Sequence, residues 1–208
     1  MILQYLNSLG RKKIILASSS PRRKEILEKI GLNLTIVPST FEENLDPSNF
    51  SHPNDFVIAT ARGKTEEVAK RLSSSNSPPD LVIGADTCIS LGGQVYGKPK
   101  DREDALSMLN KFSGTSHNVL TGVCVMVQRG TTWQEISFSE ATSVQFAELS
   151  ADDVNAYIDT GEPFDKAGGY GIQGLGGMLV EGIHGDYYNV MGFPLHRFCL
   201  HLATVLSE

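Results

Sequence analysis

Two strand-like runs, His117–Gln128 and Trp133–Phe146, meet at Arg129-Gly130 and together predict one long antiparallel hairpin. No other stretch commits so much chain to a single arrangement, so the rest must pack around it. Three short apolar runs, Lys13–Ala17 (KIILA), Leu34–Val37 and Leu81–Asp86 (LVIGAD), read as buried strands, and Gly92-Gly93 suggests a tighter hairpin. Helical periods separate them. Pro21 follows Ser20 and opens a helix with Ile26, Leu27 and Ile30 on one face and Gly31 at its end. The other helices are Pro53–Leu72, Asp101–Phe112 with Ala105, Met108, Leu109 and Phe112 inward, a Ser150-capped segment through Ile158, and Pro194–Leu206. Strands and helices intermixed, with one long hairpin, make an α/β chain with a mixed sheet.

A chain of 208 residues suffices for one large domain or two small lobes around one core. The formal charge of −6 excludes the electrostatic footprint of non-specific duplex binding, although a local basic site for a small anion remains compatible with it. Cys88, Cys124 and Cys199 are widely spaced and odd in number, so they read as small core hydrophobes in a reducing compartment rather than a disulfide or zinc framework. The opening MILQYLNSLGRKK is apolar for only a few residues and carries its positive charge after them, the wrong order for a signal peptide. No stretch near it is long enough to span a membrane, and a cytoplasmic location is the resulting expectation. The polar run Ser73–Pro79 (SSSNSPP) reads as a surface loop.

One local conflict needs a partner to resolve it. Arg22 and Arg23 occupy the first turn of the first long helix, where the helix dipole favours anions and each cation costs about 0.3–1 kcal/mol. The stretch SSSPRR (Ser18–Arg23) reads either as a capped helix with two solvated arginines or as an anion cradle. In the cradle, backbone N–H groups, hydroxyls and guanidinium forks converge on a phosphate. Asp86, in LVIGADT, is expected at the C-terminal edge of the sheet, where α/β folds bind ligands. It reads as a turn former or cap, or as a magnesium ligand or general base.

Lys98, in YGKPKD, is flanked by glycine and proline, which suits a phosphate contact or an ordinary turn. Glu42 and Glu43 follow a strand and could add a carboxylate to a metal site, while Arg62 and Lys64 lie on the long helix; taken alone, these four are solvated charges. From Gly161 to Gly185 the chain holds nine of its twenty glycines. Within that stretch EPFDKAGGYGIQGLGG (Glu162–Gly177) sets Asp165, Lys166, Tyr170 and Gln173 among glycines, fitting tight turns or close backbone approach to a flat ligand. Neither a Walker-type loop nor a GxGxxG after a strand is present.

Taken in order, SSSPRR, GADT, GKP, the segment Phe112-Ser113-Gly114-Thr115-Ser116-His117 and EPFDKAGGYGIQGLGG resemble the motifs of the Maf family. These are nucleoside triphosphate pyrophosphatases related in fold to the house-cleaning ITP pyrophosphatases. The likeness runs from Lys13 to Phe198, with Phe112 a conservative replacement for the commoner leucine. It implies a single Maf-like domain over residues 1–208, with a mixed, elongated central sheet and flanking helices in two lobes around a cleft. It also implies hydrolysis of the α–β phosphoanhydride, giving a nucleoside monophosphate and pyrophosphate.

By position, Asp86 matches the family's proton acceptor, and Glu43 with Asp86 its metal-facing carboxylates. Ser18, Arg23, Lys64 and Lys98 match its polyphosphate-binding groups, and Arg22, Thr87 and Gln173 the positions that separate its subfamilies. The implied cofactor is a divalent cation, Mg2+ or Mn2+. The implied partner is a small-molecule nucleoside triphosphate, with no nucleic acid and no membrane, and a homodimer is the assembly to look for.

Base choice follows from the Gln173 amide, which both donates and accepts. Uracil and thymine present a carbonyl beside an N–H and suit it; a methylated guanine presents two N–H donors and suits a carboxylate. The motifs SPRR, GADT and GIQG resemble the dTTP/UTP-hydrolysing branch. The alternatives are a 7-methyl-GTP pyrophosphatase of the same fold, which Gln173 and Thr87 argue against, and a non-catalytic nucleotide-binding regulator of cell division.

Overall fold

The start signals legible in the chain operate as local physics requires. Ser20 accepts a hydrogen bond from Arg23 N–H (3.4 Å), Asp101 from Asp104 N–H (2.8 Å), and Ser150 forms a reciprocal capping box with Asp153. Each such cap contributes about 1 kcal/mol by satisfying an otherwise orphaned amide. The structure is a computed structural model that describes residues 2–207.

A 3-10 turn at Ile2–Tyr5 leads into α1 (Leu6–Leu9), and β1 (Ile14–Leu16) delivers the chain to α2 (Pro21–Lys29), β2 (Leu34–Ile36) and α3 (Pro53–Ser73). Next come β3 (Leu81–Leu91), β4 (Gln94–Tyr96), α4 (Arg102–Phe112) and the long hairpin of β5 (Ser116–Arg129) and β6 (Thr132–Phe146). The sequence ends with α5 (Ala151–Asp159), three 3-10 turns between Glu162 and Leu179, β7 (Val180–His184), α6 (Tyr187–Val190) and α7 (Leu195–Leu206).

The strands form a seven-stranded mixed sheet in the order β2-β1-β3-β5-β6-β7, with β4 paired to β3. β1 runs parallel to both β2 and β3, whereas β3–β4 and β6–β7 are antiparallel. The expected α/β class with a mixed sheet is therefore observed. One expectation is corrected. Asp86 does not end its strand, because β3 continues to Leu91 and turns at Gly92-Gly93 into β4. Both turn glycines have positive φ (58° and 82°), which is what lets the chain reverse there. The parallel partner β1 does stop, its last pair being Leu16 with Ile83, so Asp86 lies three residues beyond the parallel ladder.

The chain divides into two compact units. The first holds the chain up to Asp86, Thr121–Glu140 and the chain from Gly192 on; the second holds Thr87–Leu120 and Ala141–Met191. In the first unit Ile15, Ala17, Val68, Ala69 and Val82 form a buried cluster, with Val37, Leu72, Met126 and Trp133 packed against it. In the second, a larger cluster centres on Phe112, whose ring lies 4.6 Å from His117, 5.3 Å from Tyr96 and 6.1 Å from Phe146, centroid to centroid. Burying a phenylalanine fully contributes about 1.5–3 kcal/mol, so this aromatic centre anchors the unit. The three cysteines are buried, as expected. Among the described residues, no helix is long and apolar enough to cross a membrane.

Candidate active site

In the first unit, the segment between β1 and α2 folds back on itself. Ser18 is buried, and its Oγ accepts from Ser20 N–H (3.2 Å) and from an Arg23 guanidinium nitrogen (3.1 Å). Arg23 Nε donates to the Gly192 carbonyl (2.9 Å), which fixes the guanidinium at the helix start. Burial is the main influence lowering the Arg23 pKa, with Arg22 adding to it; Asp86 and Glu43 act in the opposite sense. Arg23 therefore sits where desolvation and the helix dipole both disfavour a cation, and an anion would relieve both costs.

A close approach of helix to sheet builds the second half of the site. A methyl group on Gly84 of β3 would run into the Thr65 hydroxyl of α3 and crowd the Ala61 carbonyl, and one on Gly122 of β5 would strike the Val57 backbone. Those two glycines let α3 lie directly on the strands. Lys64, one residue from Thr65, reaches Asp86 two residues from Gly84: Nζ is 2.8 Å from Asp86 Oδ1 and 2.8 Å from Glu43 Oε2. The Lys64 side chain is 12% exposed and that of Asp86 14%, against 58% for Glu43. Here the sequence reading of Lys64 as a solvated charge is corrected, because a close-packed helix carries it inward. Arg62 does remain outward, paired with Glu135 at 2.6 Å.

Glu43 reaches Lys64 because its loop is clamped to the same helix. Glu67 of α3 accepts from Ser39 Oγ and Thr40 N–H (2.9 Å each), and Arg71 donates to Glu67 Oε1 (2.7 Å) and to the Pro38 carbonyl (2.9 Å). Arg71 is the main cause of a Glu67 pKa lowered to about 2; burial opposes it, and Thr40 and Ser39 assist. Phe41 covers Gly63, where any side chain would collide with its ring. Sequence reasoning missed this clamp. Its one local trace is the i,i+4 spacing of Glu67 and Arg71 on a helix.

The remaining predicted residues lie in the second unit. Thr87 follows Asp86 on β3 and is half-buried. Lys98 is exposed in the segment after β4, beside buried Pro99, and Gly168 N–H donates to the Gly97 carbonyl there (2.8 Å). Gln173 is exposed on the turn between the 3-10 turns Ala167–Gly169 and Leu175–Leu179. Sequence reasoning also overlooked Glu162 and Tyr157, whose contacts shape that turn.

Among the described residues, no group of three or more His, Cys, Asp and Glu side chains could by itself hold a metal ion. Glu43 and Asp86 nevertheless converge on a single cation, the Lys64 ammonium. Two convergent carboxylates fit magnesium, which takes oxygen ligands and is bound by one or two carboxylates together with water and substrate phosphate.

The family model described as Maf-like protein matches residues 13–205. The chain belongs to the Maf family. Every site residue named from the sequence falls inside the Maf match, in both units. Among Maf relatives, a Homo sapiens protein, "Probable bifunctional dTTP/UTP pyrophosphatase/methyltransferase protein", is 48% identical over 99% of this chain. That alignment covers 34% of the human protein, so the chain spans about a third of it. The Clostridium perfringens "dTTP/UTP pyrophosphatase" is 47% identical, covering 89% of this chain and 93% of that protein. The Bacillus cereus protein of the same description is 42% identical over 97% of this chain and 95% of its own length. The Maf assignment agrees with the mixed seven-stranded sheet and its helices.

Proposed function

We propose that this Maf chain is a nucleoside triphosphate pyrophosphatase that hydrolyses dTTP and UTP, and modified pyrimidine triphosphates of the same base edge, to the monophosphate and pyrophosphate. The observation that carries this is the meeting of Lys64 with Asp86 and Glu43 in the same unit as the Ser18–Arg23 cradle. A triphosphate needs several cations and fixed hydrogen-bond donors to bring a nucleophile near its α-phosphorus. Relatives that cover nearly the whole of this chain carry the dTTP/UTP description.

In this reaction Asp86 orients a water and accepts its proton as the oxygen bonds to the α-phosphorus. The bond from that phosphorus to the bridging oxygen breaks, and pyrophosphate leaves. Arg23, Ser18 and Lys98 bind the phosphate chain; Lys64 binds phosphate and holds Asp86 in place; Gln173 pairs with the base, and Arg22 and Thr87 tune substrate choice. Glu43 and Asp86 would hold a divalent cation, Mg2+ or Mn2+, which when bound supplies charge neutralisation at the phosphates. The partner is thus a small molecule rather than a nucleic acid or membrane, and a cytoplasmic setting accords with three buried cysteine thiols.

The test is pyrophosphate release from UTP, dTTP, CTP, GTP, ITP and 7-methyl-GTP with Mg2+ or Mn2+. UTP and dTTP should lead, and Asp86→Asn should lower turnover by about 10²–10⁴-fold while the protein stays folded. Near-normal turnover in Asp86→Asn would remove the residue from the chemistry. No release from any triphosphate, with nucleotide binding intact, would favour the regulator.

A further inference from the structure

The turn that carries Gln173 is rich in glycine, yet side chains of its own unit hold it at both ends. At the start, Tyr170 is buried, its hydroxyl oxygen 2.8 Å from His117 Nε2 and its ring packed edge-on against Phe146 at 4.7 Å. At the far end sits the Glu162 carboxylate. Oε1 accepts from Gly176 N–H (3.0 Å) and from the Tyr157 hydroxyl (3.2 Å), and Oε2 accepts from Leu175 N–H (2.9 Å).

The glycines around that carboxylate are there for room. Gly174 has φ −106°, open to any residue, but a methyl group on it would lie 2.5–2.7 Å from the Glu162 carboxyl atoms. A methyl on Gly176 would lie 2.6 Å from the Tyr157 hydroxyl oxygen and 2.7 Å from Gly171 N. Burial is the largest influence on Glu162 and pushes its pKa up. The hydrogen bonds from Gly176, Leu175 and Tyr157, with the Lys166 charge, outweigh it, so the group sits below its ordinary value as an ionised acceptor.

We infer that Glu162 is a positioning residue for base recognition, its carboxylate fixing the Gly171–Gly177 turn so that the Gln173 amide is presented to the base from one place. The inference rests on Gln173 as the group that pairs with the base. An exposed glutamine on a free glycine turn would find a partner on almost any base edge. Hydrogen-bond selectivity requires the group to be held within about 0.5 Å of its working position, and two backbone N–H bonds to one carboxylate supply that restraint. Glu162 acts through the turn, so its signature is selectivity rather than turnover.

The experiment compares the full chain with Glu162→Gln, Gly174→Ala and Gln173→Ala, measuring steady-state kinetics on UTP and CTP with thermal unfolding in parallel. Glu162→Gln keeps the side chain's shape but loses the charge and one of its acceptors. Gly174→Ala pushes the intact carboxylate out from the other side. Both should lower the ratio of kcat/KM for UTP to that for CTP by roughly tenfold, mainly through a higher KM for UTP, as should Gln173→Ala. If Gln173→Ala collapses the ratio while the two clamp variants keep it, the positioning role is wrong and the base-pairing role stands. If all three keep it, Gln173 does not read the base, and the role of Glu162 falls with it.

Discussion

Lys64 Nζ and Asp86 Oδ1 lie 2.8 Å apart, both side chains largely enclosed, because Gly84 and Thr65 bring α3 into contact with β3. The ammonium also meets Glu43 at 2.8 Å, so one cation serves two carboxylates. Replacing it by an apolar chain of similar length, Lys64→Met, leaves two acidic groups without that cation. Partial exposure tempers the cost, and a stability loss of about 2 kcal/mol is expected in urea unfolding. Pyrophosphate release should fall by about 10²-fold or more, and Lys64→Arg should not restore it, because a planar fork does not reproduce a compact ammonium. Unchanged stability and turnover would show that the contact has no role in either.

The helix–strand approach has its own test. Gly84→Ala directs a methyl group into the Thr65 hydroxyl and towards the Ala61 carbonyl, and overpacking of this kind costs about 1–3 kcal/mol. Thr65→Ala removes the obstructing hydroxyl, so the double variant should be more stable than the sum of the two losses predicts. Strict additivity in denaturant midpoints would place the two residues out of contact.

His117 supplies a pH signature. Burial pushes its imidazole down to about 4, whereas in the unfolded chain it titrates near 6.5. Between those values the unfolded chain binds a proton that the folded chain refuses. Stability contributed by the neutral ring is therefore full above pH 6.5 and is lost as pH falls towards 4. The wild type should lose about 2 kcal/mol more between pH 7 and 4.5 than His117→Phe, which has no proton to take up. Parallel pH profiles from urea titrations would show that the ring is not held neutral.

Gln173→Glu exchanges an amide that donates and accepts for a carboxylate that only accepts. The uracil carbonyl then loses its donor, and kcat/KM for UTP should fall by about tenfold or more with kcat less affected. An unchanged value would refute the amide pairing.

Much of the local structure was readable before any tertiary contact. Ser20 with Pro21, Asp101, and Ser150 with Asp153 mark three helix starts because capping involves only neighbours in the chain. The Arg129-Gly130 hairpin is written in two strand-like runs around a glycine that adopts φ 61°. Even the helix-start arginines posed a chemical question, since the helix dipole acts over a single turn.

The site's finer architecture was not readable in this way. The inward path of Lys64 depends on Gly84 and Thr65, which are 19 positions apart by number, and the clamp on the Glu43 loop depends on Glu67, Arg71 and Phe41 over Gly63. The extension of β3 past Asp86 to Leu91 depends on pairing with β4 after its parallel partner has ended. Sequence alone determined the α/β class, the caps, the hairpin and the Maf motifs, because each is carried by residues close together in the chain. Tertiary structure decided which charges turn inward and what holds the Gln173 turn. Those outcomes are set by how closely a helix or carboxylate can approach a glycine, and that distance exists only once the chain has folded.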